Sequence, residues 1–346
     1  MRAILLAAPF MLFGCGPDVS DRPPSGTPDA PGPNGFPNCD PANGNTCSGN
    51  SIVECNTDGT FGDVVMQCAD GQACSAGACT NACTADGVDL VYVVSQQNDF
   101  LSFDPRLLPG DPFRLIGRLQ CPTTRGTIQN PPGTVSPFSM SVDRDGKAWV
   151  LYTSGEVFNV SLQNAACTAT AYVPEAGNMA LFGMGFVSDS PGADTEKLWI
   201  SGGGNNADPG GRLASVDTHG MMYTPQIAGT MTASSDYSCE LTGTGDAKMY
   251  GFFPNLATPA FVQEIGRNGA LTGQKLNLGT AGLGAEVNAW AFAQCGGKFF
   301  VFVTSDGNST VRSIDRASGA YQLISSNLPY TIVGAGVSTC APTIIQ

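Results

Sequence analysis

The feature that most constrains the fold of this chain is a repeat of about 50 residues that begins near residue 88. Its clearest mark is an aromatic residue, which recurs as Trp149, Trp199, Tyr250 and Phe300. A lysine stands two positions before each of these four residues, and Tyr92 occupies the same position in a first copy that lacks the lysine. We therefore expect five similar structural units in residues 84–346.

Three strands are predicted in each unit. The aromatic residue lies in a segment rich in β-branched and aromatic residues, which favours a β strand. A second strand, with alternating apolar and polar residues, follows after a turn at residues 100–104, 157–160, 212–217, 261–265 and 311–315. A third, rich in small residues, precedes the aromatic segment at residues 138–142, 182–186, 237–241 and 290–294. The first unit lacks this third strand, but residues 332–337 at the C-terminus have the same character, so we expect them to pair alongside residues 90–95.

This organisation resembles the β-propeller proteins, in which four-stranded antiparallel blades surround a channel and the two chain ends combine in one blade. The resemblance implies an all-β, five-bladed propeller over residues 84–346, closed by the C-terminal strand. Residues 141–149 are also similar to the structural hairpin box of sialidase-type propellers. A β-sandwich with coincidental spacing is one alternative, and a sixth blade is another if residues 123–135 contain strands.

The N-terminal residues predict export. Arg2 precedes an apolar stretch at residues 3–13 that is too short to span a bilayer, and Cys15 follows it. The pattern resembles bacterial lipoproteins, which implies that residues 1–14 are a signal peptide and that Cys15 becomes the lipidated N-terminus; an ordinary secretory signal and an uncleaved anchor are the alternatives. Residues 15–38, rich in proline and glycine, are expected to form a flexible linker. Gly16 is not acidic, which favours an outer-membrane lipoprotein of the cell envelope, facing the periplasm or the cell surface.

The chain has thirteen cysteines, so twelve remain once Cys15 is assigned to lipid, and in an exported protein we expect all twelve to pair. Residues 39–83 are too few to bury a core without covalent links and are predicted to form a disulfide-rich module. Its first six cysteines leave fifteen connectivities open, and they are Cys39, Cys47, Cys55, Cys68, Cys74 and Cys79. The module resembles small cysteine-rich modules of secreted proteins, including surface lipoproteins of myxobacteria.

The remaining six cysteines are assigned by their place in the repeat. Cys83 and Cys340 flank the two ends of the predicted ring, so their bond would close it. Cys121 and Cys167 both lie near outer strands, and Cys239 and Cys295 both lie on inner strands of neighbouring units. We therefore expect the pairs Cys83–Cys340, Cys121–Cys167 and Cys239–Cys295.

Several kinds of chemistry are disfavoured by composition. A formal net charge of −13 opposes nucleic-acid binding, which depends on clustered Lys and Arg. His219 is the only histidine and lies in a predicted turn, so neither a Ser-His-Asp arrangement nor a zinc site has the side chains it needs. Asp104, Asp217 and Asp315 recur at one position of the repeat, where a turn-forming role explains them.

The resemblance to propeller lactonases and lyases implies where a catalytic or metal site would lie. Oxygen ligands would converge in the channel from Glu240, Glu286 and Asn288, with Asn98 and Asp99 on a rim loop. Small residues occupy most equivalent positions in the other units. We therefore expect a membrane-anchored, non-enzymatic binding module without a cofactor, with a protein or glycan as ligand; the alternative is an extracytoplasmic hydrolase or lyase with a channel metal or carboxylate site.

Overall fold

The computed structural model describes residues 39–343 apart from 49–50, 69–71, 76, 82, 84, 130–131, 203–210, 222, 232–238, 255–257 and 285. The predicted signal peptide at 1–14, Cys15 and the linker at 15–38 lie outside the described residues. No helix formed by the described residues is long and apolar enough to cross a membrane.

A small N-terminal unit contains a three-stranded sheet and a hairpin. Its strands are β1 (Asn45–Ser48), β2 (Ser51–Cys55), β3 (Phe61–Gln67), β4 (Gln72–Ser75) and β5 (Ala78–Asn81). The sheet has the order β1-β2-β3, and β4 pairs with β5. Three disulfides hold this unit, as the sequence predicts without giving their connectivity; they are Cys39–Cys55, Cys47–Cys74 and Cys68–Cys79.

The remainder of the chain is built from antiparallel strands, four for each repeat unit. They are β6 (Val91–Ser95), β7 (Asp99–Phe103), β8 (Phe113–Arg118), β9 (Pro137–Val142), β10 (Lys147–Tyr152), β11 (Val157–Ser161), β12 (Cys167–Ala169), β13 (Phe182–Ser188), β14 (Glu196–Gly202), β15 (Arg212–Val216), β16 (Gln226–Thr230), β17 (Glu240–Gly243), β18 (Met249–Phe253), β19 (Phe261–Ile265), β20 (Leu271–Asn277), β21 (Val287–Cys295), β22 (Lys298–Ser305), β23 (Asn308–Asp315), β24 (Tyr321–Ser326) and β25 (Ile332–Gly336). Short 3₁₀ turns occur at Pro41–Asn43, Pro105–Leu107 and Ala176–Asn178, and the described residues contain no α-helix.

These strands form five four-stranded sheets in a propeller-like arrangement. Sheet 1 has the order β25-β6-β7-β8, and sheets 2 to 5 take β9–β12, β13–β16, β17–β20 and β21–β24 in chain order. The first strand of each sheet, here called its inner strand, contacts the inner strand of the next sheet, and β21 of sheet 5 contacts β25 of sheet 1. The C-terminal strand pairs with β6 as the sequence predicts, with Gly336 opposite Tyr92. Between Leu119 and Ser136 the described residues contain no strand of the kind that the six-bladed alternative requires.

The recurring aromatic residue packs between neighbouring sheets. One apolar cluster lies between each pair of neighbouring sheets. The aromatic side chain of every unit is buried and packs in the cluster shared with the following sheet; these side chains are Tyr92, Trp149, Trp199, Tyr250 and Phe300. Successive residues of a strand point to opposite faces, so each sheet can bury apolar side chains on both sides. Five separate sheets with a core at each junction differ from a sandwich, which has a single core between two sheets.

Small residues on the inner strands let the backbones approach closely. A Cβ atom on Gly183 of β13 would lie 2.6 Å from the Cα of Glu240 in β17. One on Gly336 of β25 would lie 2.6 Å from the Cα of Ser141 in β9. Contacts this short exclude any side chain, so glycine is required at these positions for the inner strands to pack against one another.

Two of the three disulfide pairs assigned from the repeat are present, and the third prediction is wrong. Cys83 is bonded to Cys340 and Cys121 to Cys167, whereas Cys239 is a free, buried thiol. Cys239 immediately precedes β17, and Cys295 is the last residue of β21. The hydrogen bond from Gln294 N–H to Thr242 Oγ1 shows that the end of β21 lies level with residues 242–243 of β17. Three to four strand residues therefore separate the two cysteines, roughly 10 to 13 Å, and a disulfide needs Cα atoms within about 7 Å.

Candidate functional site

Among the described residues, the inner strands hold one buried carboxyl group. Glu240 begins β17 in sheet 4, and its Oε2 accepts a 2.8 Å hydrogen bond from Ser139 Oγ of β9 in sheet 2. This hydrogen bond joins sheets 2 and 4, which are separated in the ring by sheet 3. Gly183 of sheet 3 has no side chain, and a Cβ atom there would collide with the backbone of Glu240. Burial raises the pKa of Glu240 to about 8, and the hydrogen bond from Ser139 opposes that rise only in part. The side chain is therefore neutral at pH 7 and acts as a link across the ring of sheets.

Hydroxyl groups satisfy backbone donors of the inner strands. Phe186 N–H of β13 donates to Ser141 Oγ of β9 at 3.0 Å, and Gln294 N–H of β21 donates to Thr242 Oγ1 of β17 at 3.3 Å. Each bond joins neighbouring sheets. The serine and threonine side chains of the inner strands thus replace the strand partner that an inner edge lacks, a structural role for polar residues at the centre.

One end of the ring is covered by the C-terminal segment, and we call this end the tail face. Residues 338–341 follow β25 and are largely buried. Thr339 Oγ1 donates to Glu196 Oε2 at 2.6 Å, and the N–H of Arg144 donates to Glu196 Oε1 at 2.7 Å. The N–H of Gly296 donates to the carbonyl of Pro342 at 2.9 Å. The C-terminal segment therefore bonds directly to sheets 3 and 5, and Glu196 links it to Arg144 of sheet 2. The disulfide between Cys340 and Cys83 holds the segment in place.

Glu196 is the second carboxyl with an unusual environment. Burial raises its pKa to about 7, against the opposing effect of the hydrogen bonds from Thr339 and Arg144. Asp143 adds repulsion that also raises the pKa. Glu196 is not among the site residues predicted from the sequence, although the repeat carries a signal for it. The position directly before the lysine holds a small residue in the other units, as Gly146, Ala247 and Gly297, so a glutamate there is an exception.

The side chains predicted to converge in the channel differ in burial and in hydrogen-bond partners. Glu286 and Asn288 are exposed, whereas Glu240 is buried and bonded to Ser139. Asn98 Oδ1 accepts a 3.1 Å hydrogen bond from Tyr152 Oη, and Asp99 Oδ2 accepts one of 3.1 Å from Ser95 Oγ. In the part of the chain that the structure describes, no three His, Cys, Asp or Glu residues lie close enough to hold a metal ion.

The other singled-out polar residues lie in turns. His219 is exposed, and its backbone N–H donates to Asp217 Oδ1 at 3.0 Å. Asp104 accepts from Arg106 N at 3.0 Å, and Asp315 accepts from Ser318 N at 2.8 Å. All three aspartates therefore cap the turn that follows a strand, as the repeat position predicts.

Comparisons with known proteins give a weak structural likeness and no family. The sequence matches no protein family, and no curated protein resembles it significantly. Among solved structures, dihydro-heme d1 dehydrogenase NirN in complex with DHE has 14% identity and a TM-score of 0.31 over 71% of this chain and 45% of its own. This chain thus spans less than half the length of that protein. Oligogalacturonate lyase in complex with manganese has 12% identity and a TM-score of 0.32 over 72% of this chain and 70% of its own. The tricorn protease has 12% identity and a TM-score of 0.33 over 81% of this chain and 22% of its own.

Proposed function

We propose that residues 84–346 form a five-bladed β-propeller closed by the C-terminal strand, and that this propeller is a non-enzymatic binding module held at the cell envelope by a lipid on Cys15. Residues 39–83 are its disulfide-rich module and residues 15–38 its linker. The five four-stranded sheets, each packed on the next, support the blade count. The disulfides favour an oxidising compartment outside the cytoplasm.

The state of Glu240 carries the non-enzymatic role. Its carboxyl is neutral at pH 7, buried and bonded to Ser139, whereas Glu286 and Asn288 are exposed, and no three His, Cys, Asp or Glu side chains of the described residues could hold a metal ion. A catalytic centre of the predicted kind needs several oxygen groups around one position. The C-terminal segment covers the tail face, which leaves the opposite end, formed by the connections between sheets, as the surface offered to a protein or glycan ligand.

Lipid attachment is tested directly by metabolic labelling. Expression in a bacterial host with an alkyne-tagged fatty acid should label the wild-type protein and place it in the membrane fraction, because acyl chains give membrane affinity of about 0.8 kcal/mol for each buried CH₂ group. Cys15→Ser should abolish the label and release the protein from the membranes. Cys239→Ser is the matched control and should keep both, since Cys239 is buried in the fold. A labelled Cys15→Ser protein would contradict the proposal.

The binding role is tested with purified peptidoglycan sacculi and a glycan array. We expect saturable binding to one of these ligand classes without release of soluble fragments. Glu240→Gln should leave the binding unchanged at pH 7, because the glutamine amide is neutral like the native carboxyl and can accept the hydrogen bond from Ser139. Release of fragments by the wild-type protein that is lost in Glu240→Gln would instead support an enzyme.

The raised pKa of Glu240 is also the observation that favours the alternative, an extracytoplasmic hydrolase or lyase. A carboxyl that keeps its proton near pH 8 can act as a general acid. Such an enzyme would need a second catalytic group close to Glu240 and to the bound substrate. The side chain that hydrogen-bonds Glu240 among the described residues is Ser139. The fragment-release assay separates the two roles.

A further inference from the structure

The small N-terminal unit presents an unusual open edge. Its sheet has the order β1-β2-β3, so β3 pairs with β2 on one side and with no other described strand on the other. The β4-β5 hairpin contacts β1 and β2. The outer side of β3 therefore offers backbone N–H and C=O groups that a further strand could pair with.

The same strand exposes apolar side chains on both faces. Val64, Val65 and Met66 are 62%, 49% and 54% exposed, and neighbours in a strand point to opposite sides. No other described strand exposes three consecutive apolar residues. Edge strands are usually protected by lysine, proline or inward charges, as β8 is by Arg114 and Arg118, whereas β3 carries no basic residue or proline.

Charge indicates what could cover this edge. Residues 39–83 contain five carboxylate residues, including Glu54, Asp58 and Asp63, and no lysine, arginine or histidine. Asp63 is exposed within β3, and Glu54 lies beside Gly62, where a Cβ atom would be 3.1 Å from the Cβ of Glu54. The negative charge thus lies at the first half of β3 and the apolar surface at the second half. A second copy of this all-acidic unit would be repelled, whereas a basic strand would be attracted.

From the edge of β3 that pairs with no other described strand, from its exposed apolar residues 64–66 and from this charge, we infer that β3 is the docking edge for an extended, cationic segment of another protein, which adds as a fourth strand. In an antiparallel addition, alternate apolar residues of the segment lie opposite Met66 and Val64, and a Lys or Arg two positions further lies opposite Gly62, next to Asp63 along the strand and beside Glu54 of β2. Main-chain hydrogen bonds hold the segment, and the basic residues select it. This surface is separate from the propeller face and its test is independent of the proposed binding role there.

The test uses the full-length protein and a fluorescent nonapeptide, blocked at both ends, in which valine alternates with threonine in the first half and lysine with threonine in the second. Fluorescence anisotropy should show saturable binding that weakens with added salt. A peptide with glutamate in place of lysine, and one with proline in place of the central threonine, should not bind. The first reverses the charge, and the second removes a backbone donor.

Variants of the protein locate the site. Val64→Thr/Val65→Thr/Met66→Thr keeps strand-forming residues but removes the apolar surface, and it should weaken binding about tenfold or more. Asp63→Asn leaves the apolar surface intact and should weaken the lysine peptide several-fold and reduce its salt dependence. Leu115→Thr, at an exposed apolar position of the β8 edge, is the matched control and should bind like the wild type.

Three outcomes would overturn the inference. They are a lysine peptide that does not bind, equal binding of the glutamate peptide, and unchanged binding by both the threonine triple variant and Asp63→Asn. Sedimentation equilibrium adds a fourth. If the wild-type protein dimerises and the triple variant does not, a second copy of this chain occupies the edge in place of a cationic partner.

Discussion

Cys83→Ser/Cys340→Ser lowers the free energy of unfolding by about 5 kcal/mol, the largest single effect that we expect in this protein. The bond joins residues 257 positions apart, so it removes a very long loop from the unfolded chain. It also fixes the C-terminal segment through which Thr339 contacts Glu196. Guanidinium unfolding followed by near-ultraviolet circular dichroism, without reductant, measures the change.

The pair Cys121 and Cys167 provides the matched control for ring closure. Its bond spans 46 positions, and from loop length alone Cys121→Ser/Cys167→Ser should cost about 1.5 kcal/mol less. Hydrogen exchange gives a second readout. Loss of the Cys83–Cys340 bond should speed exchange in β25 far more than in β9, because β25 is joined to the rest of sheet 1 only by pairing with β6. Equal exchange in the two strands would show that the disulfide does not hold the closure.

The arrangement of the strands could be predicted because the repeat records a contact made five times. Trp149 and Trp199 occupy equivalent positions at two sheet junctions, so one local pattern describes each junction. The C-terminal strand was recognisable because small residues such as Gly336 are needed wherever inner strands touch. The buried aromatic residue and the small inner-strand residues both make contacts between neighbouring sheets. A sequence that repeats once for each sheet therefore shows these contacts as a periodic pattern.

The polar centre could not be predicted, because its contacts join residues that the repeat does not relate. The hydrogen bond between Ser139 and Glu240 links sheets that are not neighbours, and Thr339 meets Glu196 only because the C-terminal segment crosses the tail face. The wrong assignment of Cys239 to Cys295 has the same origin. The repeat indicates which strands are neighbours. Whether two side chains on neighbouring strands meet depends on the position of each residue along its strand.

Glu240→Gln should make the protein more stable at alkaline pH and leave it nearly unchanged at pH 4. Burial raises the pKa of Glu240 from 4.5 to about 8, so the folded protein keeps a proton that the unfolded chain releases. The contribution of the neutral carboxyl to the free energy of unfolding is complete below pH 4.5. Between pH 4.5 and pH 8 this contribution falls by about 1.4 kcal/mol per pH unit, and above pH 8 it no longer changes. The total loss in the wild type is on the order of 5 kcal/mol, and glutamine, which does not ionise, avoids it.

The difference between variant and wild type isolates Glu240, because Glu196 titrates in both proteins and its contribution cancels. Guanidinium unfolding at several values from pH 4 to pH 9 gives that difference, which should grow steadily and reach its plateau near pH 8. Glu196→Gln is the comparison variant: its pH-dependent gain should end near pH 7, since burial raises the pKa of Glu196 to about 7. A Glu240→Gln difference that does not change with pH would mean that the carboxyl is ionised in the folded protein. The centre of the ring would then hold a charge, and both the non-enzymatic role and a general-acid role of Glu240 would lose the observation that supports them.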